Sequence, residues 1–136
     1  MNRRFINPPG SPTPKNYHHV VVIEGGRTIY LSGQVAFDAG RNIVGGNDVV
    51  EQTRQALRNV KAAVEAGGGQ LSDVIKLTTS VVNYKPEQLE EVTGVIGEFF
   101  AADSLPANTL LGVESLSTEG LLVEIEALAV TDAPMP

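Results

Sequence analysis

The clearest pattern in the chain is its last apolar run, LLVEIEALAV, from Leu121 to Val130. Strand side chains alternate with a period of two. Leu121, Val123, Ile125, Ala127 and Ala129 therefore share one face, and Leu122, Glu124, Glu126, Leu128 and Val130 the other. Both faces are largely apolar, which predicts a central strand covered on both sides. The carboxylates interrupting the second face need water, a donor or a partner, so Glu124 or Glu126 is a site candidate. The plainer alternative is a solvated patch or a bond to a neighbouring amide.

Other segments show equally definite periods. His19 to Ile23 and Thr28 to Leu31 are β-branched-rich runs flanking Glu24-Gly25-Gly26-Arg27, whose paired glycines suit a tight turn, and they predict an opening hairpin. The polar stretch from Asp38 to Asn47 surrounds only Ile43-Val44 and reads as a loop or a brief edge strand. Asp48 followed by Glu51 fits a capping box. After it Val49, Thr53, Ala56, Leu57, Val60, Ala63 and Val64 recur at helical spacing up to Gly67-Gly68-Gly69. Val74 to Val82 returns to alternation, with Ile75, Leu77, Thr79 and Val81 on one face and Val74, Lys76, Thr78, Ser80 and Val82 on the other.

Pro86 suits the first turn of a second helix, striped by Leu89, Val92, Val95, Ile96, Phe99 and Phe100, in which Gly94 and Gly97 would allow close packing on a sheet. Leu110 to Ser115 and Leu121 to Val130 then read as a final strand pair. The order β-β-(β)-α-β-α-β-β is an α+β arrangement with two helices on one face of one mixed β-sheet. Two helices leave the other face bare, yet the last strand is apolar on both. Something outside the protomer is expected to bury it, and a homo-oligomer is the simplest candidate.

Composition narrows the classes. At 136 residues the chain reads as a single domain, 1–136, with a proline-rich extended arm over residues 1–16. That arm has no apolar core behind its arginines and so does not read as a secretory signal, and a cytoplasmic protein is expected. With 42% hydrophobic and 19% charged residues, no apolar run approaches the roughly 20 residues of a membrane span. Cysteine is absent and the two histidines, His18 and His19, are adjacent, so neither a structural metal nor a cofactor is expected. A net charge of −6 works against binding to a phosphate backbone, and nucleic acid is a poor default partner.

Several stretches, in order, resemble one known family: YLSGQVAFD (Tyr30 to Asp38), EQTRQALRNVKAAVEAGGG (Glu51 to Gly69), DVIKLTTSVVNY (Asp73 to Tyr84), LPAN (Leu105 to Asn108) and VEIEALAV (Val123 to Val130). The chain resembles the Rid family of reactive intermediate deaminases, also called YjgF or endoribonuclease L-PSP. The resemblance implies a chorismate-mutase-like fold, a homotrimer packed through its sheet faces, and small-molecule clefts at the subunit interfaces. It also implies an arginine after the Pro-Ala of the LPAN loop to grip a substrate carboxylate, and a last-strand glutamate that positions water for imine hydrolysis.

The arginine position is Asn108 here. The glutamate corresponds to Glu124, allowing one extra residue in the Ser117 to Gly120 loop, while Tyr17 and Ser32 fall where the family has cleft-lining residues. Arginine binds a carboxylate through a charged two-pronged fork that a short neutral amide does not reproduce. The expectation is therefore a cleft with catalytic Glu124 and substrate-binding Asn108, Tyr17 and Ser32 that disfavours 2-imino acids. It would either hydrolyse another imine or enamine-like metabolite or bind a small metabolite without catalysis. Asn108 also suits a turn, Tyr17 interface packing and Ser32 a bond to nearby backbone. Lys15, His18, His19, Lys85 and Arg41 are the candidate replacement cations. Endoribonuclease activity, implied by the older family name, finds no basic patch with interleaved aromatics.

Overall fold

The computed structural model describes residues 1–136. It contains β1 (Asn2–Ile6), β2 (Val20–Glu24), β3 (Arg27–Tyr30), β4 (Gln34–Val35), α1 (Val49–Ala66), β5 (Val74–Val82), α2 (Leu89–Phe99), β6 (Ala107–Val113) and β7 (Val123–Thr131). Single 3-10 turns, Leu71–Asp73 and Pro86–Gln88, lead into β5 and α2. The main sheet runs β3-β7-β5-β6, with β4 added to β7 beyond the end of β3. It is mixed, since β5 and β6 are parallel while β7 is antiparallel to β3, β4 and β5. The last strand is central, as its two apolar faces predict. β6 and β7 do not form a pair; each flanks β5.

The opening hairpin is a correction. Gly25 and Gly26 do turn the chain, at φ 83° and 85°, but β2 pairs with β1 and β3 pairs with β7. Gly26 explains the parting, because a Cβ there would come within 2.6 Å of Val130 Cγ1 and 2.8 Å of Met1 Sδ. The turn is pressed onto the end of β7 rather than closing a ribbon. The start of the arm is thus strand β1, tied down by Arg3 donating to Ser72 O at 2.7 Å and by the terminal ammonium 3.3 Å from Asp132.

Asp48 caps α1 by accepting from the amides of Val50 and Glu51 at 2.9 and 3.3 Å. Glu51 does not complete the box; it pairs with Arg54. The predicted stripe is the buried one. Ala56, Leu57, Val60 and Val64 join Val92, Val95 and Ile96 of α2 and Leu77, Val81, Val123, Ile125, Ala127 and Ala129 of the sheet in one core. In β5 the predicted faces slip at the start. Val74 opposes Ala129 and Lys76 opposes Leu128, so Ile75 is the extra residue of a bulge and Val74, not Ile75, enters the core.

The glycines of α2 do not face the sheet. A Cβ on Gly94 would meet nothing within 4 Å, while one on Gly97 would come within 2.7 Å of Asn16 Oδ1. Gly97 makes room for the crossing arm, whose Asn16 also reaches Thr93 Oγ1 at 3.4 Å.

Candidate functional site

Register sorts the side chains of the sheet onto two faces. Leu77, Thr79 and Val81 oppose Ala127, Ile125 and Val123 under the helices. Thr78 and Ser80 oppose Glu126 and Glu124 on the other face, which no helix covers. This open face also carries Tyr30, Lys76, Leu128, Thr109 and Leu111. Tyr30 is 80% exposed and Leu111 47%.

Glu124 sits at an irregularity. Tyr30 pairs with Leu128 and Gln34 with Ile125, so the chain advances four residues between β3 and β4 against three on β7. The break falls at Leu31-Ser32-Gly33, and Leu31 N still reaches Ala127 O at 3.0 Å. It brings Gly33 against the carboxylate, since a Cβ on Gly33 would lie 2.6 Å from Glu124 Cδ and 2.9 Å from its Oε1. Gly33 is glycine here for want of space. Glu124 is half-buried yet makes no side-chain hydrogen bond and no ion pair. A partly desolvated carboxylate with no partner is the kind of group that takes a ligand, a water or a second chain.

Asn108 lies elsewhere. It is inside β6 rather than in a turn, opposite Leu77, and its Oδ1 accepts from Thr79 Oγ1 at 3.0 Å on the helix-covered face. Asn108 and Glu124 therefore occupy opposite faces of one sheet. Tyr17 is in a third place, a groove between the arm and α2 lined by Lys15, Asn16, Leu89, Glu90 and Thr93. Its ring meets His19 edge-on at 5.3 Å. The next residue links this groove to the LPAN segment, because His18 N donates to Pro106 O at 3.3 Å and His18 Nδ1 lies 2.8 Å from Leu105 O. Glu124 thus packs on Gly33, the residue after Ser32, and His18, the residue after Tyr17, is tied to Leu105 and Pro106 ahead of Asn108, but the structure does not join the two groups within a protomer.

None of the candidate cations bonds to Asn108 or Glu124. Lys15 is 4.0 Å from Glu90 and Arg41 lies over the Phe37 ring at 5.2 Å. His18 is held by Leu105 O and His19 Nε2 by Pro12 O at 3.0 Å, while Lys85 offers only its backbone N–H, to Gln88. The cation on the open face is one the candidate set omits: Lys76, whose Nζ donates to Thr109 Oγ1 at 2.8 Å. Its signal was the polar series Lys76, Thr78, Ser80 along one side of a core strand.

A family model described as Endoribonuclease L-PSP matches residues 10–131. The chain belongs to this family, known also as Rid or YjgF. A 2-iminobutanoate/2-iminopropanoate deaminase of Dermatophagoides farinae is 32% identical over 130 residues, 96% of this chain and 98% of its own. A RutC family protein of Pyrococcus horikoshii is 35% identical over 107 residues, 79% of this chain and 82% of its own. Among solved structures, the Rid protein YyfB of Yersinia pestis is 40% identical, with a TM-score of 0.90 over 96% of this chain and 99% of its own. RidA of an Antarctic Psychrobacter is 28% identical, with a TM-score of 0.68 over 93% and 98%. The two helices on a mixed sheet are thus the Rid fold, and within it this backbone follows YyfB more fully than that RidA. No helix is long and apolar enough to cross a membrane.

Proposed function

We propose that this Rid-family chain works as a homotrimer whose subunit-interface clefts take a small imine- or enamine-like metabolite, neutral or cationic rather than a 2-imino acid. The observation that carries the reading is the unpaired Glu124 carboxylate lodged against Gly33. Such a group positions and polarises water for attack on a C=N bond, or receives a cationic ligand. At the place where the resemblance implies arginine, Asn108 offers only an amide whose oxygen is occupied by Thr79. The half-buried carboxylate then dominates the local field, which disfavours a second negative charge on the ligand. The need for more than one copy follows from the division of Glu124 and Asn108 between two sheet faces, and exposed Tyr30 and Leu111 supply apolar surface for it.

That division also favours a second reading, a metabolite-binding trimer without catalysis, since no general acid stands beside Glu124 in the protomer. The imine-deaminase relative supports chemistry over mere binding.

Ammonia release from 2-iminopropionate, generated from alanine by an amino-acid oxidase, tests the proposal in the native protein, Asn108→Arg and a no-protein control. The native rate is expected at background and the variant above it. Native acceleration of 2-iminopropionate hydrolysis would sink the ligand preference, and silence of both proteins would favour the binding reading.

A further inference from the structure

Beside the Glu124 cleft, the open face holds a second polar constellation. A cavity of about 250 Å³ is lined by Tyr30, Leu31, Lys76, Thr78, Glu126, Ala127 and Leu128. Lys76 opposes Leu128 and Glu126 opposes Thr78, so the two charges are diagonal neighbours on adjacent strands. Residues so placed are about 7–8 Å apart, within reach for an ion pair between long side chains. They do not form one. The ammonium is turned outward to Thr109 on β6, and the exposed Glu126 has neither an ion pair nor a hydrogen bond. Opposite charges are thus held apart across Thr78, with an exposed aromatic and Leu128 at the side.

We propose that Lys76 and Glu126 form a binding site for a small zwitterion, an α-amino acid with an apolar side chain. The ligand carboxylate meets Lys76 Nζ, its ammonium meets the Glu126 carboxylate, and its side chain lies against Leu128 and the Tyr30 ring. A zwitterion places both its charges between the two fixed ones, whereas a simple anion or cation satisfies one and leaves the other facing it unpaired. The hydroxyl of Thr78 lines the gap and can bond to either group, while that of Thr109 holds Lys76 Nζ at its edge. A neighbouring copy laid on this face would roof the cavity, so the site sits beside the cleft of the proposed function without sharing Glu124 or Asn108.

The test uses L-valine, isovalerate, which lacks the ammonium, and isobutylamine, which lacks the carboxylate. Each is titrated into the ¹⁵N-labelled full-length protein while the amides of Tyr30, Lys76 and Thr78 are followed. L-Valine is expected to give saturable shifts, with affinity reduced roughly tenfold for either analogue and for Lys76→Met or Glu126→Gln. Oligomeric mass, read by light scattering, should be unchanged in both variants. Absence of saturable shifts, equal binding of all three compounds, or binding indifferent to both substitutions overturns the site. So does a change of oligomeric mass in the variants without valine binding to the native protein, which makes the two residues interface contacts. Each result leaves the ammonia-release assay, and the Glu124 reading, independently decided.

Discussion

The two faces of the sheet are written in alternate residues of the same strands, yet they obey different rules. Under the helices every polar intruder is satisfied. Gln52, fully buried, donates to Gly46 O and Gly120 O at 2.7 and 2.9 Å and accepts from Leu122 N at 2.9 Å. Thr79 donates to Asn108, and Thr53 to Val49 O at 2.6 Å. On the open face Glu124 and Glu126 have no partner in the protomer, and Lys76 has a single hydroxyl. A face that tolerates unpaired charge is shaped by what binds to it, whereas a face that tolerates none is shaped by folding.

Truncation should separate the faces most strongly. Leu57 is fully buried between α1 and the sheet, so Leu57→Ala is expected to cost about 2–5 kcal/mol in urea unfolding. Leu111→Ala on the open face is expected within about 0.5 kcal/mol for the protomer, with any larger loss dependent on protein concentration. Equal, concentration-independent losses would break the comparison.

Gln52→Leu sharpens it by one step. The change keeps the volume but strands three backbone groups, Gly46 O in the loop before α1 and Gly120 O and Leu122 N in the loop before β7, for an expected cost of about 2–3 kcal/mol. Amide exchange should rise first at Leu122, and a neutral result would mean that the loop finds water at no cost.

On the open face the corresponding change is Gly33→Ala. Its Cβ would displace the end of a flexible side chain rather than backbone, so stability should fall by less than about 1 kcal/mol. Added to Asn108→Arg, in which ammonia release is expected, Gly33→Ala should nevertheless lower the rate as far as Glu124→Gln does. Wild-type behaviour of Gly33→Ala in that assay would detach Glu124 from the site.

What the sequence disclosed divides along the same line. The stripe of α1 and the central place of β7 were legible because the core is written in period: Ala56, Leu57, Val60 and Val64 recur at helical spacing, and Val123 to Ala129 alternate. The partner of β2 was not legible, since a glycine turn says that the chain reverses and not that its two arms pair. Nor was the bulge that sends Val74 inward, because one inserted residue inverts a period-two pattern without changing composition. Of the site, Glu124 lies against Gly33, the residue after Ser32, a contact that the spacing of the two segments along the chain does not reveal. The separation of Glu124 from Asn108 across the sheet depends on which residue of β6 opposes Leu77, and spacing along the chain carries no such register. Lys76 was visible as one member of a polar series, with nothing in the series to say that it alone would turn toward β6.

The smallest expected effect belongs to neither face. On the outer side of the helix pair Arg54 grips Glu98 through two bonds of 3.0 and 2.9 Å and also reaches Glu51. The hydrogen bond from Arg54 holds the Glu98 carboxyl below its ordinary value of 4.5, the charge attraction adds to it, and desolvation opposes both. A carboxyl lowered on folding stabilises the native state at pH above that ordinary value, and the contribution disappears as pH falls through the lowered one. Glu98→Gln should therefore be less stable than the native protein near neutrality by a small margin, and the margin should close in acid. The pair is surface-exposed and screened, so 1 M salt should shrink the same margin at neutral pH. Because it touches neither face of the sheet, the ligand response of this variant should match the native protein at every pH. A shifted ligand profile would mean that the helix layer and the open face are coupled, and the division between folding face and binding face would then fail at its simplest point.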